Sequence, residues 1–164
     1  MFTCPPAIEA THTPQEKFRE FFASRPRPQR FTEQQRDLIL FIFSQHDHFD
    51  ADQLVDELKR DGLQISRATV YRTLNKLVDA GLLRCIDVGH RKVYEHDYGY
   101  PKHDHLHCEK CNKIIEFRDP ALDTIIKNVG QHHSFQVSGH SFVIRGVCSE
   151  CNRARSVKRK LDLV

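Results

Sequence analysis

The chain has 164 residues, 39% hydrophobic and 29% charged, with a formal net charge of +3. That length suits one large domain or two small ones with a real buried core, and no apolar run approaches the ~20 residues a membrane span needs. So small a net charge does not by itself argue for a nucleic-acid partner. The start of the chain, MFTCPPAIEATHTPQ, lacks the basic end and apolar centre of a secretory signal, so a cytoplasmic location is expected. Six cysteines and eleven histidines stand out. Without an export signal, paired cysteines are more often metal ligands than disulfides.

Residues 1–31 are polar and contain five prolines. Within them PQEKFREFFAS is read as a short helix with Phe18, Phe21 and Phe22 on one face. The following RPRPQR is an extended basic connector, because each proline disfavours helix in the residue before it. Three helices are then expected. Thr32 and Gln35 have capping-box spacing ahead of an apolar run at 38–43. Asp50 caps a second helix with Ala51, Leu54, Val55 and Leu58 on one face, ending at Gly62. Ser66 caps a third with Val70, Leu74, Leu77 and Val78 in one stripe and Gly81 as its stop. Strands at about 82–87 and 91–96 flank a turn containing Gly89. Helix, helix, helix and two-stranded ribbon is the winged-helix order.

The stretch DYGYPKHD opens the second half. Strands near 105–108 and 113–118 bracket Cys108 and Cys111, a helix runs from Pro120 to about Gly130, and alternation of His140, Phe142 and Ile144 with Ser141, Val143 and Arg145 reads as a long strand near 134–147. The tail RARSVKRKLDLV is basic. The fold class is α+β: a winged helix followed by a small α/β domain.

On the third helix, the face opposite the apolar stripe carries Ala68, Thr69, Arg72, Asn75 and Lys76, with Tyr71 at its margin. Small groups at the leading end and hydrogen-bonding and cationic groups behind it suit a helix that enters a major groove. The ribbon adds Arg84, Arg91 and Lys92, and the connector adds Arg25, Arg27 and Arg30. For an isolated helix a merely solvated face is the simpler reading. The helix order and the basic ribbon tip it toward DNA.

Cys108-Glu-Lys-Cys111 and Cys148-Ser-Glu-Cys151 are two C-x-x-C knuckles separated by residues 112–147. Together they supply the closed tetrahedral four-sulfur shell of a structural zinc, Zn(II); redox pairs or disulfides are the competing readings. Cys85 is read as a packed thiol, and Cys4 carries no signal. Just before the first knuckle, His103 and His105 face one way on an extended segment and Asp104 the other, so the two imidazoles are placed to share a second metal. An imidazole and carboxylate shell suits Fe(II), Mn(II), Zn(II) or Co(II). Spacing does not identify its distant members, and surface histidines beside a zinc site are the alternative.

The winged-helix motif SRATVYRTLNKLVDAGLL, followed by HDHLHCEKCNKIIEF and GVCSEC, resembles the ferric uptake regulator family, and the resemblance covers roughly residues 30–152. The resemblance implies a winged-helix DNA-binding domain over 1–97, with its N-terminal extension, and a metal-binding dimerisation domain over 98–164. It implies a metal-responsive repressor that acts as a homodimer, or a tetramer, on double-stranded AT-rich palindromic DNA, with no membrane and no small organic substrate. A regulatory metal is then expected on His48, Glu95, His103, His105 and Glu116, with Asp97 as the alternative to Glu95. A further metal site of some relatives matches Asp104, Asp123 and His140, with Lys102 in place of the usual His. DNA contacts are expected from Arg30, Thr69, Tyr71, Arg72 and Lys76. Glu at both 95 and 116 resembles the iron sensors, so Fe(II) is favoured. A peroxide sensor, or a Zn(II) or Mn(II) sensor of the same family, is the alternative. A zinc-dependent hydrolase, the reading from a different class, lacks an H-E-x-x-H motif and an evident nucleophile–base pair.

Overall fold

The computed structural model describes residues 12–26, 30–45, 47–88 and 91–154. Arg27, the ribbon turn at Gly89, Cys4 and most of the basic tail therefore lie outside the described residues. The chain divides into two compact units, one ending at Pro101 and the other beginning at Lys102, four residues beyond the division expected from the sequence.

The first unit opens with α1 (Pro14–Ala23), started by a capping box in which Thr13 and Glu16 satisfy each other's backbone N–H groups. A second capping box, Thr32 with Gln35, starts α2 (Glu33–Phe43). β1 (Phe49–Asp50) leads directly into α3 (Ala51–Arg60), whose N-cap is Asp50. α4 (Arg67–Asp79) is capped by Ser66. Gly62 and Gly81 follow the last two helices at φ +82° and +65°, left-handed values that end a helix without a Cβ clash. β2 (Leu83–Asp87) and β3 (Lys92–His96) form the ribbon.

The sequence reading missed β1. It pairs antiparallel with β3, making a three-stranded sheet of order β1-β3-β2. Two residues are too few to show a period, and they run straight into a helix cap, so local pattern could not mark them. The core of this unit gathers one face of every helix: Phe18 and Phe22 of α1, Leu38 and Ile39 of α2, Leu54 and Leu58 of α3, and Leu74 and Leu77 of α4 are all nearly inaccessible. Helix α1 is thus an integral layer of the unit, held by stacked, tilted and edge-on contacts among Phe18, Phe21, Phe22 and Phe31.

In the second unit, β4 (Asp104–Cys108) pairs antiparallel with β5 (Ile114–Phe117) and parallel with β6 (Val143–Gly146), and α5 (Pro120–His132) connects β5 to β6. The long strand expected over 134–147 is reduced to the four residues Val143–Gly146. Alternation alone does not make a strand: residues 134–142 join no ladder among the described residues, apart from the Phe142 carbonyl, which accepts from His105 N–H. Large apolar side chains remain exposed here, among them Ile125, Val129, Phe135 and Ile144.

Candidate metal centres and nucleic-acid face

The first zinc knuckle is shaped by its backbone. Asn112 takes φ 58°, a left-handed value that Asn tolerates better than most residues. Its N–H reaches the Cys108 carbonyl, while Cys108 N–H reaches the Lys113 carbonyl. The parallel pairing of Cys108 with Gly146 then delivers the second knuckle beside the first. The four sulfurs of Cys108, Cys111, Cys148 and Cys151 lie within 4.8 Å of one another, and Cys111 and Cys148 are 3.8 Å apart. Sulfurs ~2.3 Å from one tetrahedral centre stand about 3.8 Å apart, so the set fits zinc. All described cysteines are free thiols. Backbone N–H groups, first that of Cys148 and then those of Cys111 and Lys110, hold the Cys108 thiol down at about 6, whereas the neighbouring Cys148 and Cys111 push Cys151 up to about 12. Lys113, after the first knuckle, pairs with Glu150 inside the second at 2.9 Å.

Each unit also assembles imidazoles with carboxylates. In the first, β1–β3 pairing sets Phe49 opposite Tyr94, so His48 and Glu95 come next in register. Their Nε2 and Oε2 atoms are 3.0 Å apart, with the carboxylate buried. Asp97, the alternative to Glu95, is instead hydrogen-bonded to Arg84 Nη2. In the second, β4–β5 pairing sets His105 directly opposite Glu116, and residues so paired share a sheet face. His103 Nε2 lies 3.7 Å from Glu116 Oε1, and the His103 and His105 rings are 4.9 Å apart. The opposite face of β4 carries Asp104, whose Oδ1 is 3.1 Å from His140 Nε2. Asp123 is exposed on α5 and lines a groove with Ile126, Gly130 and Phe135. Among the described residues, no cluster of three potential ligands contains it. Lys102 is exposed.

Five residues were expected to meet DNA. Tyr71 and Arg72 are exposed on α4, Thr69 is half-buried in the N-cap beside Ser66, and Arg30 is exposed ahead of α2. Lys76 differs from a free surface cation: its Nζ sits 5.0 Å from the Phe22 ring centre, and burial, then Arg25 and Arg72, lower its pKa. Three of the cations counted toward a basic surface are already engaged, Arg91 among them through Asp50. Arg84 is paired with Glu95 and Asp97, and Arg25 with Asp79. Asp52 and Arg67 went unnoticed in the sequence. Asp52 Oδ1 accepts hydrogen bonds from the Tyr71 hydroxyl at 2.7 Å and pairs with Arg67 at 2.5 Å. Nineteen positions separate Asp52 from Tyr71, and no local pattern links them.

The model of the "Ferric uptake regulator family" matches residues 27–145. The ferric uptake regulation protein of Campylobacter jejuni is 34% identical over 130 residues, covering 77% of this chain and 82% of the relative. The peroxide-responsive repressor PerR of Staphylococcus aureus is 34% identical over 123 residues, covering 74% and 82%. The structure of the ferric uptake regulator from Francisella tularensis with iron is 28% identical, with a TM-score of 0.66, and covers 78% of this chain and 98% of that one. No helix among the described residues is long and apolar enough to cross a membrane. With a winged helix, a four-sulfur site that fits structural zinc and separate imidazole–carboxylate sets, the chain belongs to the ferric uptake regulator family of metal-responsive transcriptional repressors and is not an enzyme.

Proposed function

We propose that this repressor is a cytoplasmic Fe(II) sensor that binds AT-rich palindromic DNA as a homodimer. One zinc per chain is structural. The regulatory metal is held by His48 and Glu95 from the first unit and by His103, His105 and Glu116 from the second. The observation that carries this reading is that each unit has already paired its own donors by strand register: His48 with Glu95, and His103 and His105 with Glu116. Bound metal would fix the angle between the units, and it shifts that equilibrium only through its greater affinity for the favoured angle. Two recognition helices related by a dyad would then meet two half-sites, which is why a palindrome is expected. The exposed Ile125, Val129 and Phe135 of the second unit support a dimer; sedimentation equilibrium distinguishes it from a tetramer.

Glu at both 95 and 116 favours iron, in keeping with the resemblance to iron sensors. A peroxide-sensing role has support too, since PerR of Staphylococcus aureus matches at the same 34% identity as the ferric uptake regulation protein of Campylobacter jejuni. Anaerobic titration with Fe(II), Mn(II) and Zn(II), read by mobility shift of an AT-rich palindromic duplex, tests the proposal. Iron-dependent binding at the lowest free metal concentration supports it. No binding with any metal overturns it. Peroxide treatment of the iron form, followed by mass spectrometry of the peptide holding His103 and His105, separates the two readings: oxygen added there marks a peroxide sensor.

A further inference from the structure

One carboxylate oxygen on α3 holds two residues of the recognition helix. Asp52 Oδ1 accepts from the Tyr71 hydroxyl and pairs with Arg67 Nη2, and the Arg67 guanidinium lies 5.7 Å from the Tyr71 ring centre. Arg67 and Tyr71 are one helical turn apart on α4 and share an exposed face. The cluster borders a groove of about 540 Å³ lined by Asp50, Asp52, Tyr71, Asn75, Arg91 and Lys92. Across that groove, Arg91 Nη1 pairs with Asp50 Oδ2 at 3.4 Å. Two cation–acid pairs therefore border the groove, Arg67 with Asp52 of α3 and Arg91 with Asp50, the residue that caps that helix.

We propose that Asp52 is a specificity-determining residue, which aims the Tyr71 phenol at the base edge and keeps Arg67 from binding phosphate indiscriminately. This rests on the DNA-binding reading above. The physical argument is one of sign and distance. Phosphate contacts supply affinity without sequence information, whereas base-edge contacts supply selectivity. A carboxylate on the binding face repels every duplex alike, so it weakens the indiscriminate term in particular. Its ion pair with Arg67 is exposed on both sides, 63% and 57%, and such pairs are too weak to resist a well-placed phosphate. Arg67 can therefore change partners only where the duplex is seated closely enough to offer one. The Tyr71 hydroxyl meanwhile stays on Asp52, which leaves the ring edge to meet the thymine methyl.

The test compares wild-type, Asp52→Asn, Asp52→Leu, Arg67→Gln and the Asp52→Asn/Arg67→Gln pair. Each is saturated with Mn(II) and titrated against an AT-rich palindromic duplex and a scrambled duplex of the same composition, over a range of salt. Asp52→Asn keeps an acceptor for Tyr71 but removes the charge. It should tighten binding of the scrambled duplex about fivefold and steepen the salt slope by about two, the value of one added phosphate contact on each of the dimer's two recognition helices. The palindrome should gain less, so the ratio between the two falls. Arg67→Gln should cancel the gain. Asp52→Leu also frees the phenol and should abolish discrimination between thymine and uracil in the palindrome, because only thymine carries the methyl.

A second readout needs no DNA. The hydrogen bond to Asp52 raises the Tyr71 pKa, so ultraviolet titration against a Tyr71→Phe blank should show the phenol ionising at lower pH in Asp52→Leu. Unchanged scrambled-duplex affinity in Asp52→Asn, or a gain that survives Arg67→Gln, overturns the assignment of Asp52. Failure of the wild-type protein to bind either duplex overturns the DNA reading itself, and this inference with it.

Discussion

His48 Nε2 lies 3.0 Å from Glu95 Oε2, and the carboxylate side chain is only 5% exposed. The pairing follows from a two-residue strand. β1 meets β3 with Phe49 opposite Tyr94, and one step further along the ladder brings the imidazole to the acid. Arg84 Nη1 stands 3.4 Å from the other oxygen of Glu95, so a cation lies beside the buried carboxylate. A pre-oriented carboxyl beside an imidazole is what a divalent cation needs from this unit. Glu95→Gln should keep the shape and remove the charge. The expected result is at least about tenfold weaker Mn(II) binding, the lower end of what disturbing a metal shell costs, with zinc content unchanged. Equilibrium dialysis under anaerobic conditions measures the first and elemental analysis the second. Parallel loss of zinc would show that the two metal sites are not independent.

The four-sulfur site calls for a different outcome. Structural zinc contributes folding free energy directly, because the unfolded chain has no preformed site. Here it joins the β4–β5 turn to the end of β6, two segments otherwise held by the β4–β6 ladder and the exposed Lys113–Glu150 pair. Exposed pairs of that kind contribute little, because solvent screens them. Cys108→Ser should therefore lose the zinc and melt the second unit while leaving the helical signal of the first largely in place. Elemental analysis together with amide exchange on β4 and β6 checks this. Retained zinc at one per chain would overturn the ligand assignment.

The N-terminal helix α1 makes a prediction about acid. The Glu16 carboxylate accepts hydrogen bonds from the Thr13 backbone N–H and then its hydroxyl, and these hold its pKa below the ordinary value. A carboxyl whose folded pKa is depressed contributes stability that is present above its unfolded value and disappears as pH falls through the folded one. The docking of α1 should therefore weaken in acid, and Glu16→Gln should remove that part of the pH dependence. Phe22→Ala attacks the same helix from its buried side. Phe22 is 2% exposed and supports Lys76, so the loss should be about 3–5 kcal/mol by denaturant unfolding. A loss under about 1 kcal/mol would mean that α1 is not part of the folded unit.

What the sequence made legible was whatever depends on neighbours in the chain. Thr32 with Gln35, Asp50 and Ser66 each begin a helix as their spacing indicates, and the two C-x-x-C pairs come together as a four-sulfur set. The parts that depend on long-range register were harder to see. β1 is too short to carry a period, yet it brings His48 to Glu95. Residues 134–142 alternate like a strand but have no ladder to join, so β6 is confined to Val143–Gly146. Charge counting failed for a related reason. Arg84 looks like a surface cation in the sequence, and only the fold shows that Glu95 and Asp97 face it. Family resemblance supplied the proposed distant ligands of the regulatory metal, which spacing left open.

The last prediction concerns the apolar surface of the second unit. Ile125 and Val129 lie one turn apart on α5, so they share a face, and both are more than half exposed at 55% and 54%. On the sheet, Leu106 is aligned with Ile115 of β5 and Ile144 of β6, forming an apolar row across all three strands; Leu106 and Ile144 are 36% and 44% exposed. Leaving several such side chains in water is costly, at about 25 cal/mol for each Å² that a partner could cover. A second copy of the same surface is the simplest cover, since a dyad makes one patch complementary to itself. Ile125→Glu with Val129→Glu places like charges on both sides of that dyad. The pair should convert a dimer to monomer in sedimentation equilibrium while zinc stays bound. Affinity for the palindromic duplex should fall far more than affinity for a single half-site, because only the dimer reads both halves at once. An unchanged mass would move the interface off α5. An equal loss on both duplexes would mean that the charges act on folding and not on assembly.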